Sequence, residues 1–315
     1  MNNQPEQIFR WQDYLAPKFW SSWIGLGFMR LIALFPYRLQ LASGKLIGYL
    51  FYKLAPAYRS EIALVNIRMC FPELSAQQQQ NLVRENFYSL GISLVETAMS
   101  WWSSDKKLRS LVKIKGYEIV EQALSAGKGG ILLGAHYSTV EISGRLISLD
   151  YKIAASYHPF KNPLFNQLTL YFRKRTTDRI FDRNEIRQTF RYIKQNNLMW
   201  IASDQDANIE QSIFVPFFGH PASTQTVPSR MAKVTGAPVI PYISRRLDNA
   251  QGYEIEFFPA LENFPGKSVE EDITRTNKIL EEMIKKAPEQ YFWVHRRFKT
   301  RPEGMPSVYP DKYKK

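Results

Sequence analysis

The sequence predicts an α/β fold, with a mostly parallel central sheet flanked by helices and a membrane-associated helical region at the N-terminus. Residues 1–105 show helical periodicity, and from about residue 112 short apolar runs alternate with helical patterns. Strands that alternate with helices in this way are typical of a largely parallel sheet. We expect residues 1–40 to form the membrane-associated helix. Residues 41–315 then form a second domain, with a helical lead-in to about residue 111 and an α/β core after it.

The N-terminal apolar stretch "FWSSWIGLGFMRLIALF" covers residues 19–35 and favours contact with a membrane. Its 17 residues include Arg30, whereas a full span needs about 20 apolar residues and a charge inside lipid is costly. Trp20 and Trp23 are residues of the kind that lie at membrane interfaces. A helix that dips into the bilayer or barely crosses it fits this pattern, and a helix buried on the same domain is the alternative.

Apolar patterns also predict the helices and strands that follow in the chain. Ser75 precedes the polar tract "QQQQ" and a helix-spaced apolar series, so we expect it to be the N-cap of a long helix. The predicted strands are 129–135, 152–157, 198–204, 237–244 and 253–259. The predicted helices between them are 139–149, 164–174, 184–195 and 226–235.

Composition limits the classes of function. A hydrophobic content of 44% argues against general disorder. The 42 Lys and Arg against 29 Asp and Glu give a net charge of +13, which suits nucleic acid, anionic lipid headgroups or an acidic protein partner. The single cysteine, Cys70, excludes an internal disulfide framework and a multi-cysteine metal site. Its apolar neighbours indicate a buried structural thiol.

The stretch "GILLGAHYSTVE" contains the candidate catalytic pair. His136 directly follows a predicted strand, where open parallel sheets bind their ligands, and Glu141 lies five residues further on. With Ser138 or Thr139 as a helix cap, the carboxylate of Glu141 can fold back to one imidazole nitrogen. This would make His136 a general base and Glu141 its orienting partner. The alternative is a structural histidine near a helix start, with Glu141 favouring the helix dipole.

Other chemistry has little support in the sequence. None of the four histidines is paired with another at the spacing of a metal site, so we expect no metal. There is also no nucleophile elbow, Walker A loop or dinucleotide fingerprint, and we expect no cofactor. If His136 is a base, the nucleophile comes from the substrate.

The sequence resembles the lipid A biosynthesis acyltransferases over nearly its whole length. The segments that carry the resemblance are "NIRMCFPELS" (66–75), "HYSTVE" (136–141), "DQDAN" (204–208), "FVPFFG" (214–219) and "PEQYFWVHRRFKTRPEG" (288–304). Two small departures are Tyr137, where the family commonly has Phe, and His158, where Arg is common.

The resemblance implies transfer of a fatty acyl group from acyl carrier protein to a hydroxyl of a Kdo-containing lipid A precursor, at the cytoplasmic face of the inner membrane. It assigns the general base to His136 and its partner to Glu141. The acyl-carrier thioester is then a co-substrate and no covalent acyl-enzyme is needed.

Further candidates for substrate binding lie in basic clusters and at a strand end. The sequence indicates Arg173, Arg183, Asp204, Arg296 and Arg297. Arginine suits phosphate, and Arg183 lies in an "IFDR" block like one that binds phosphate in related acyltransferases. Aromatic residues interleave with the C-terminal arginines, but without a nucleic-acid-binding signature we expect a lipid or carrier protein as partner and no nucleic acid. Asp206 is interpreted as a structural turn acid, with a magnesium site as the alternative.

Three alternatives remain open from the sequence. The same pair could hydrolyse acyl thioesters, the acceptor could be another glycolipid, or the chain could be a basic membrane-binding protein without catalysis. The sequence does not reveal the acyl chain length, the acylated hydroxyl or the oligomeric state.

Overall fold

The computed structural model describes residues 9–54, 57–182, 184–207 and 212–310. Four long helices form the N-terminal part. They are α1 (Trp20–Ala33), α2 (Tyr37–Leu54), α3 (Tyr58–Cys70) and α4 (Ala76–Trp102). The Ser75 side chain accepts a hydrogen bond from Gln78 N, and the Gln78 side chain accepts one from Ser75 N, so the predicted N-cap is confirmed as a capping box.

Helices α2 and α4 cross at very close range because glycines meet at the crossing. A Cβ added to Gly91 would lie 2.2 Å from Gly48 N, and one added to Gly48 would lie 2.3 Å from Phe87 O. Neither position tolerates a side chain without moving a helix backbone. The crossing therefore fixes α2 on α4.

The α/β core contains a seven-stranded sheet in the order β1-β9-β8-β2-β5-β3-β4. All neighbouring pairs are parallel except β8 and β9, which run antiparallel. The predicted α/β class with a mostly parallel sheet is confirmed. The strands of this sheet are β1 (Val112–Lys115), β2 (Gly130–Gly134), β3 (Ile153–Tyr157), β4 (Arg179–Asp182), β5 (Leu198–Ala202), β8 (Val239–Arg246) and β9 (Tyr253–Phe257).

Two hydrophobic cores cover the two faces of this sheet. One includes Ile131, Leu133 and Met199, and the other includes Leu132, Leu198 and Ile240, because alternate residues of a strand point to opposite faces. The remaining helices are α5 (Asp105–Arg109), α6 (Tyr117–Ser125), α7 (Val140–Ile147), α8 (Pro163–Thr176), α9 (Ile186–Lys194), α10 (Val227–Thr235) and α11 (Val269–Lys286).

All five predicted strands and all four predicted helices after residue 112 are confirmed, with ends shifted by a few residues. The sequence reading missed β1 and β4, whose charged residues interrupt the apolar pattern, and the hairpin of β6 (Ser212–Phe217) and β7 (His220–Gln225), which forms a separate antiparallel sheet. Cys70 is 5% exposed, so the predicted buried thiol is confirmed, and burial raises its pKa.

The N-terminal helices expose a large apolar surface. Ile24 is 74% exposed, Leu31 59% and Leu46 59%. In the described ranges, no helix combines the length and the apolar character needed to span a bilayer. The predicted membrane association of residues 1–40 stays a prediction.

Candidate active site

His136 and Asp204 come together because their strands are neighbours in register. Gly134, the last residue of β2, pairs with Ala202, the last residue of β5. Each side chain of the pair lies two residues beyond its strand, so the same register carries on into the two loops. The carboxyl edge of the parallel strands is where such sheets place ligands.

The Asp204 carboxylate holds both the ring and the backbone of His136. The Nδ1–H of the ring donates to Asp204 Oδ1 over 2.7 Å, and the backbone N–H of His136 donates to Asp204 Oδ2 over 3.0 Å. The Asp204 side chain is 1% exposed and that of His136 is 29% exposed. Since Nδ1 is occupied, Nε2 is the ring nitrogen left to take up a proton.

The charges of the pair reinforce each other. Burial alone would lower the pKa of His136, but the Asp204 carboxylate outweighs it and raises that pKa above the ordinary 6.5. In turn burial would raise the pKa of Asp204, but the His136 ring lowers it from 3.8 to about 2. Asp204 is therefore ionised at neutral pH and supports a positive charge on the ring.

The loop that carries His136 is fastened by the segment after α11. Ser138 N donates to Gln290 O over 2.7 Å, and Phe292 N donates to His136 O over 3.0 Å. The Gln290 side chain in turn bonds both backbone groups of Arg246, at the end of β8. These contacts fix the backbone on either side of the ring. Sequence reasoning assigned residues 288–292 to the family resemblance but did not foresee this contact.

Glu141 has a different partner from the one predicted. It lies in the first turn of α7, as expected, but its carboxylate accepts hydrogen bonds from Arg173, with Nε at 3.1 Å and 3.2 Å from its two oxygens and Nη2 as a second donor. The carboxylate on the imidazole is that of Asp204, so the predicted pairing of Glu141 with the ring is wrong. Thr139 does not cap α7 with its side chain, because its hydroxyl donates to Ser244 O over 2.8 Å.

The Glu141–Arg173 pair lines a pocket of about 80 Å³ between α4, α7, α8 and one face of the sheet. The rest of its wall is largely apolar and includes Trp101, Ile180 and Trp200. The Trp200 ring lies edge-on to His136, with centroids 5.8 Å apart. Trp200 therefore belongs both to the pocket wall and to the surroundings of the His136 ring. Most of the wall is apolar, and the ion pair supplies its polar part.

Two other predicted substrate-binding residues are buried. The Asp204 carboxylate is used by His136, so direct contact with substrate is not its role. Arg297 is 3% exposed, donating from Nη1 to Ser223 O at 2.6 Å and from Nη2 to Thr224 Oγ1 at 2.7 Å. Its predicted substrate contact is therefore wrong: it ties the C-terminal segment to β7, and its charge helps to lower the pKa of Asp204.

The other three predicted substrate-binding residues are arginines that differ in their location. Arg173 lies on the pocket, as its predicted role requires, and Arg296 is half-buried. Arg183 lies outside the described residues.

Asp206 has the structural role that we expected of it. Its carboxylate accepts hydrogen bonds from Thr300 N at 3.0 Å and Thr300 Oγ1 at 2.9 Å, and its backbone N–H donates to His295 Nε2 at 3.0 Å. Because burial lowers the pKa of His295 to about 4, that ring is neutral and can accept the bond. The described residues hold no cluster of three or more acidic, histidine or cysteine side chains suited to a metal.

Fold and site together define an α/β protein with a histidine–aspartate pair at the carboxyl edge of its sheet, beside a mostly apolar pocket. The sequence matches the family "Bacterial lipid A biosynthesis acyltransferase" over residues 8–300. The chain belongs to this family and is an enzyme of its kind.

Named relatives cover nearly the whole chain. It is 33% identical over 296 residues to the lipid A biosynthesis lauroyltransferase of Escherichia coli strain K12, covering 94% of this chain and 96% of the relative. It is 32% identical over 299 residues to the palmitoleoyltransferase of the same strain, with 95% and 97% covered. The myristoyltransferase of that strain is 28% identical over 303 residues, with 96% and 94% covered.

Proposed function

We propose that this chain transfers a fatty acyl group from acyl carrier protein to a hydroxyl of a Kdo-containing lipid A precursor, with His136 as general base. The observation that carries the proposal is the hydrogen bond of 2.7 Å between His136 Nδ1 and the buried Asp204 carboxylate. It fixes the tautomer in which Nε2 is unprotonated. Base assistance of this kind is worth roughly 10²–10⁴-fold in rate.

The reaction needs no covalent acyl-enzyme. His136 Nε2 accepts the proton of the acceptor hydroxyl as that oxygen attacks the thioester carbonyl carbon, and Asp204 stabilises the imidazolium that forms. When the tetrahedral intermediate collapses, the carbon–sulfur bond breaks and the thiolate leaves. The imidazolium gives its proton to the sulfur, which returns the ring to its starting state.

Glu141 supports the same reaction through Arg173. The carboxylate binds the guanidinium through two nitrogens, a geometry that fixes its orientation. A guanidinium held in this way on the pocket wall suits an anionic group of the glycolipid or of the carrier's prosthetic arm.

The site of action that we propose is the cytoplasmic face of the inner membrane. The exposed apolar residues of α1 and α2 and the net charge of +13 both suit an anionic membrane surface. The acidic carrier protein fits the same excess of positive charge.

The test is an acyl-transfer assay in detergent, with a Kdo-lipid A precursor and carrier protein charged with defined chains. We expect the wild type to acylate the precursor and His136→Ala to lose roughly 10²–10⁴-fold in rate. Full activity in His136→Ala would refute the assigned base. Release of free fatty acid without acylation of the precursor would replace transfer by thioester hydrolysis.

A further inference from the structure

A second cavity, of about 390 Å³, lies between α1, α2 and α4 and the start of α8. It is larger than the pocket at Glu141, and its walls are almost entirely apolar. The main wall residues are Leu26, Phe28, Met29, Ile32, Leu94 and Phe165. A cavity of this composition excludes charged ligands from its interior and accepts hydrocarbon.

An aromatic wall separates this cavity from the pocket lined by Glu141 and Arg173, which is called the catalytic pocket below. The Trp101 ring, which lines the catalytic pocket, stacks on Phe172 with centroids 4.8 Å apart and lies 5.7 Å from the ring of Phe165, which lines the second cavity. A chain in the second cavity is therefore separated by these rings from a ligand in the catalytic pocket.

One end of the cavity is polar. Asn162 Nδ2 donates to Ser22 Oγ over 2.9 Å, and Asn162 Oδ1 accepts from Phe165 N at the start of α8. Both polar side chains line the cavity, and Lys161, which precedes Asn162 in the chain, is exposed. An apolar cavity with one polar pair in its wall matches an amphiphile, with its chain inside and its headgroup at the polar pair.

The cavity is also continuous with the apolar surface of the N-terminal helices. Its wall helix α1 exposes Ile24 and Phe28 on the outside, at 74% and 55%. Phe28 also lines the cavity. A lipid chain can pass from that surface into the cavity without crossing water.

We infer that this cavity binds one hydrocarbon chain of the glycolipid acceptor, and not the chain that is transferred. This inference rests on the proposed function for the identity of the lipid. It implies that part of the acceptor's affinity comes from α1, far from the reacting hydroxyl. Binding there would orient the acceptor headgroup toward the catalytic pocket.

Two glycines of α1 provide a matched test. Gly25 lines the cavity and Gly27 does not, yet both are exposed helical positions where an added Cβ has nothing within 4 Å. Gly25→Phe puts a ring at the cavity, and Gly27→Phe puts the same ring elsewhere on the same helix. Neither change should unfold the protein, since glycine is the weaker helix former.

Kinetics give the first measurement. In Gly25→Phe we expect the KM for the acceptor to rise about tenfold, the effect of losing roughly two buried methylene groups. The values of kcat and of KM for the acyl-carrier thioester stay unchanged. Gly27→Phe leaves all three unchanged. An increase in the KM of the thioester in Gly25→Phe would overturn the inference, because the cavity would then hold the transferred chain.

Photo-crosslinking gives a measurement that does not depend on turnover. At a concentration below the wild-type KM, a lipid A precursor with a diazirine at a chain end should label the Leu94–Val95 segment in wild type, in His136→Ala and in Gly27→Phe, and much more weakly in Gly25→Phe. Equal labelling by a diazirine phospholipid, or no labelling of this segment, would overturn the inference. If the precursor labels the segment while wild type transfers no acyl group, the proposed function fails and the lipid site stands.

Discussion

The loop after β5 and the first turn of α7 each supply one carboxylate near the catalytic pocket, and the two differ in partner and burial. Asp204, on the loop, is 1% exposed and holds the imidazole of His136. Glu141, on the helix, is 14% exposed and holds the guanidinium of Arg173. The acid close to His136 in the chain thus orients a cation, while the acid 68 residues away orients the base. The difference arises because β2 and β5 are neighbours in the sheet.

The largest effect is expected from Asp204→Asn. An amide cannot support the imidazolium and can favour the wrong tautomer, so we expect the rate of acyl transfer to fall by roughly 10²–10⁴-fold. The measurement is kcat in the detergent assay. Asp206→Asn is the control: it changes an acid of the same loop that binds Thr300, and it should keep most of the activity. If both variants were equally impaired, the loss would reflect the loop and not the pair.

Most of the fold and about half of the candidate site could be predicted from the sequence. The strands β2, β3, β5 and β8 lie in mainly apolar runs, and in β9 apolar residues alternate with two glutamates, so these five strands could be predicted. The order of strands in the sheet could not, because it depends on packing between distant segments. A signal for Asp204 was nevertheless present: "GILLGAH" and "LMWIASD" each end in a polar residue at the seventh position, which places His136 and Asp204 at equal distances beyond their strands.

Arg297 was predicted to bind substrate at the surface, but it is buried. Its basic cluster looked like a surface patch, since arginine is mostly exposed in proteins. In the structure its guanidinium is buried against β7 and lies over the Phe217 ring, with 4.9 Å between Cζ and the ring centroid. Nothing local in "HRRFKT" distinguishes this buried arginine from Arg296 beside it, because the contacts come from a distant hairpin.

A smaller effect is expected from Glu141→Gln. This change removes the charge that holds Arg173, and we expect a loss of roughly tenfold in kcat/KM, equal to about 1.4 kcal/mol. A double-mutant cycle with Arg173→Met tests the assignment. If Glu141 acts through Arg173, the double variant is no worse than the more impaired single variant. Fully additive losses would show that Glu141 has a separate role.

The pH dependence separates the two carboxylates further. A base must be unprotonated, so kcat/KM should fall as pH drops through the pKa of His136, which Asp204 raises above 6.5. In Asp204→Asn the attraction is lost while burial remains, so the inflection should move to lower pH in the residual activity. In Glu141→Gln the inflection should stay in place. If the inflection shifted as far in Glu141→Gln as in Asp204→Asn, Glu141 would act directly on the His136 ring.

The smallest effect is expected from Thr300→Val, which removes one hydrogen bond to the Asp206 carboxylate and leaves that from Thr300 N. We expect a loss of about 1–2 kcal/mol in unfolding free energy at neutral pH, measured by denaturation in detergent. Burial raises the pKa of Asp206 above 3.8 and the Thr300 bonds oppose that rise, so the variant penalises the ionised carboxylate. The destabilisation should therefore be largest above the native pKa of Asp206 in the variant, which is higher still, and shrink as pH falls below the raised native pKa of the wild type, where the carboxyl is protonated in both folded proteins. Thr300→Ser keeps the hydroxyl and should show neither effect. If Thr300→Val instead lowered kcat as strongly as Asp204→Asn, the anchoring of the loop and the orientation of the base would be one function and not two.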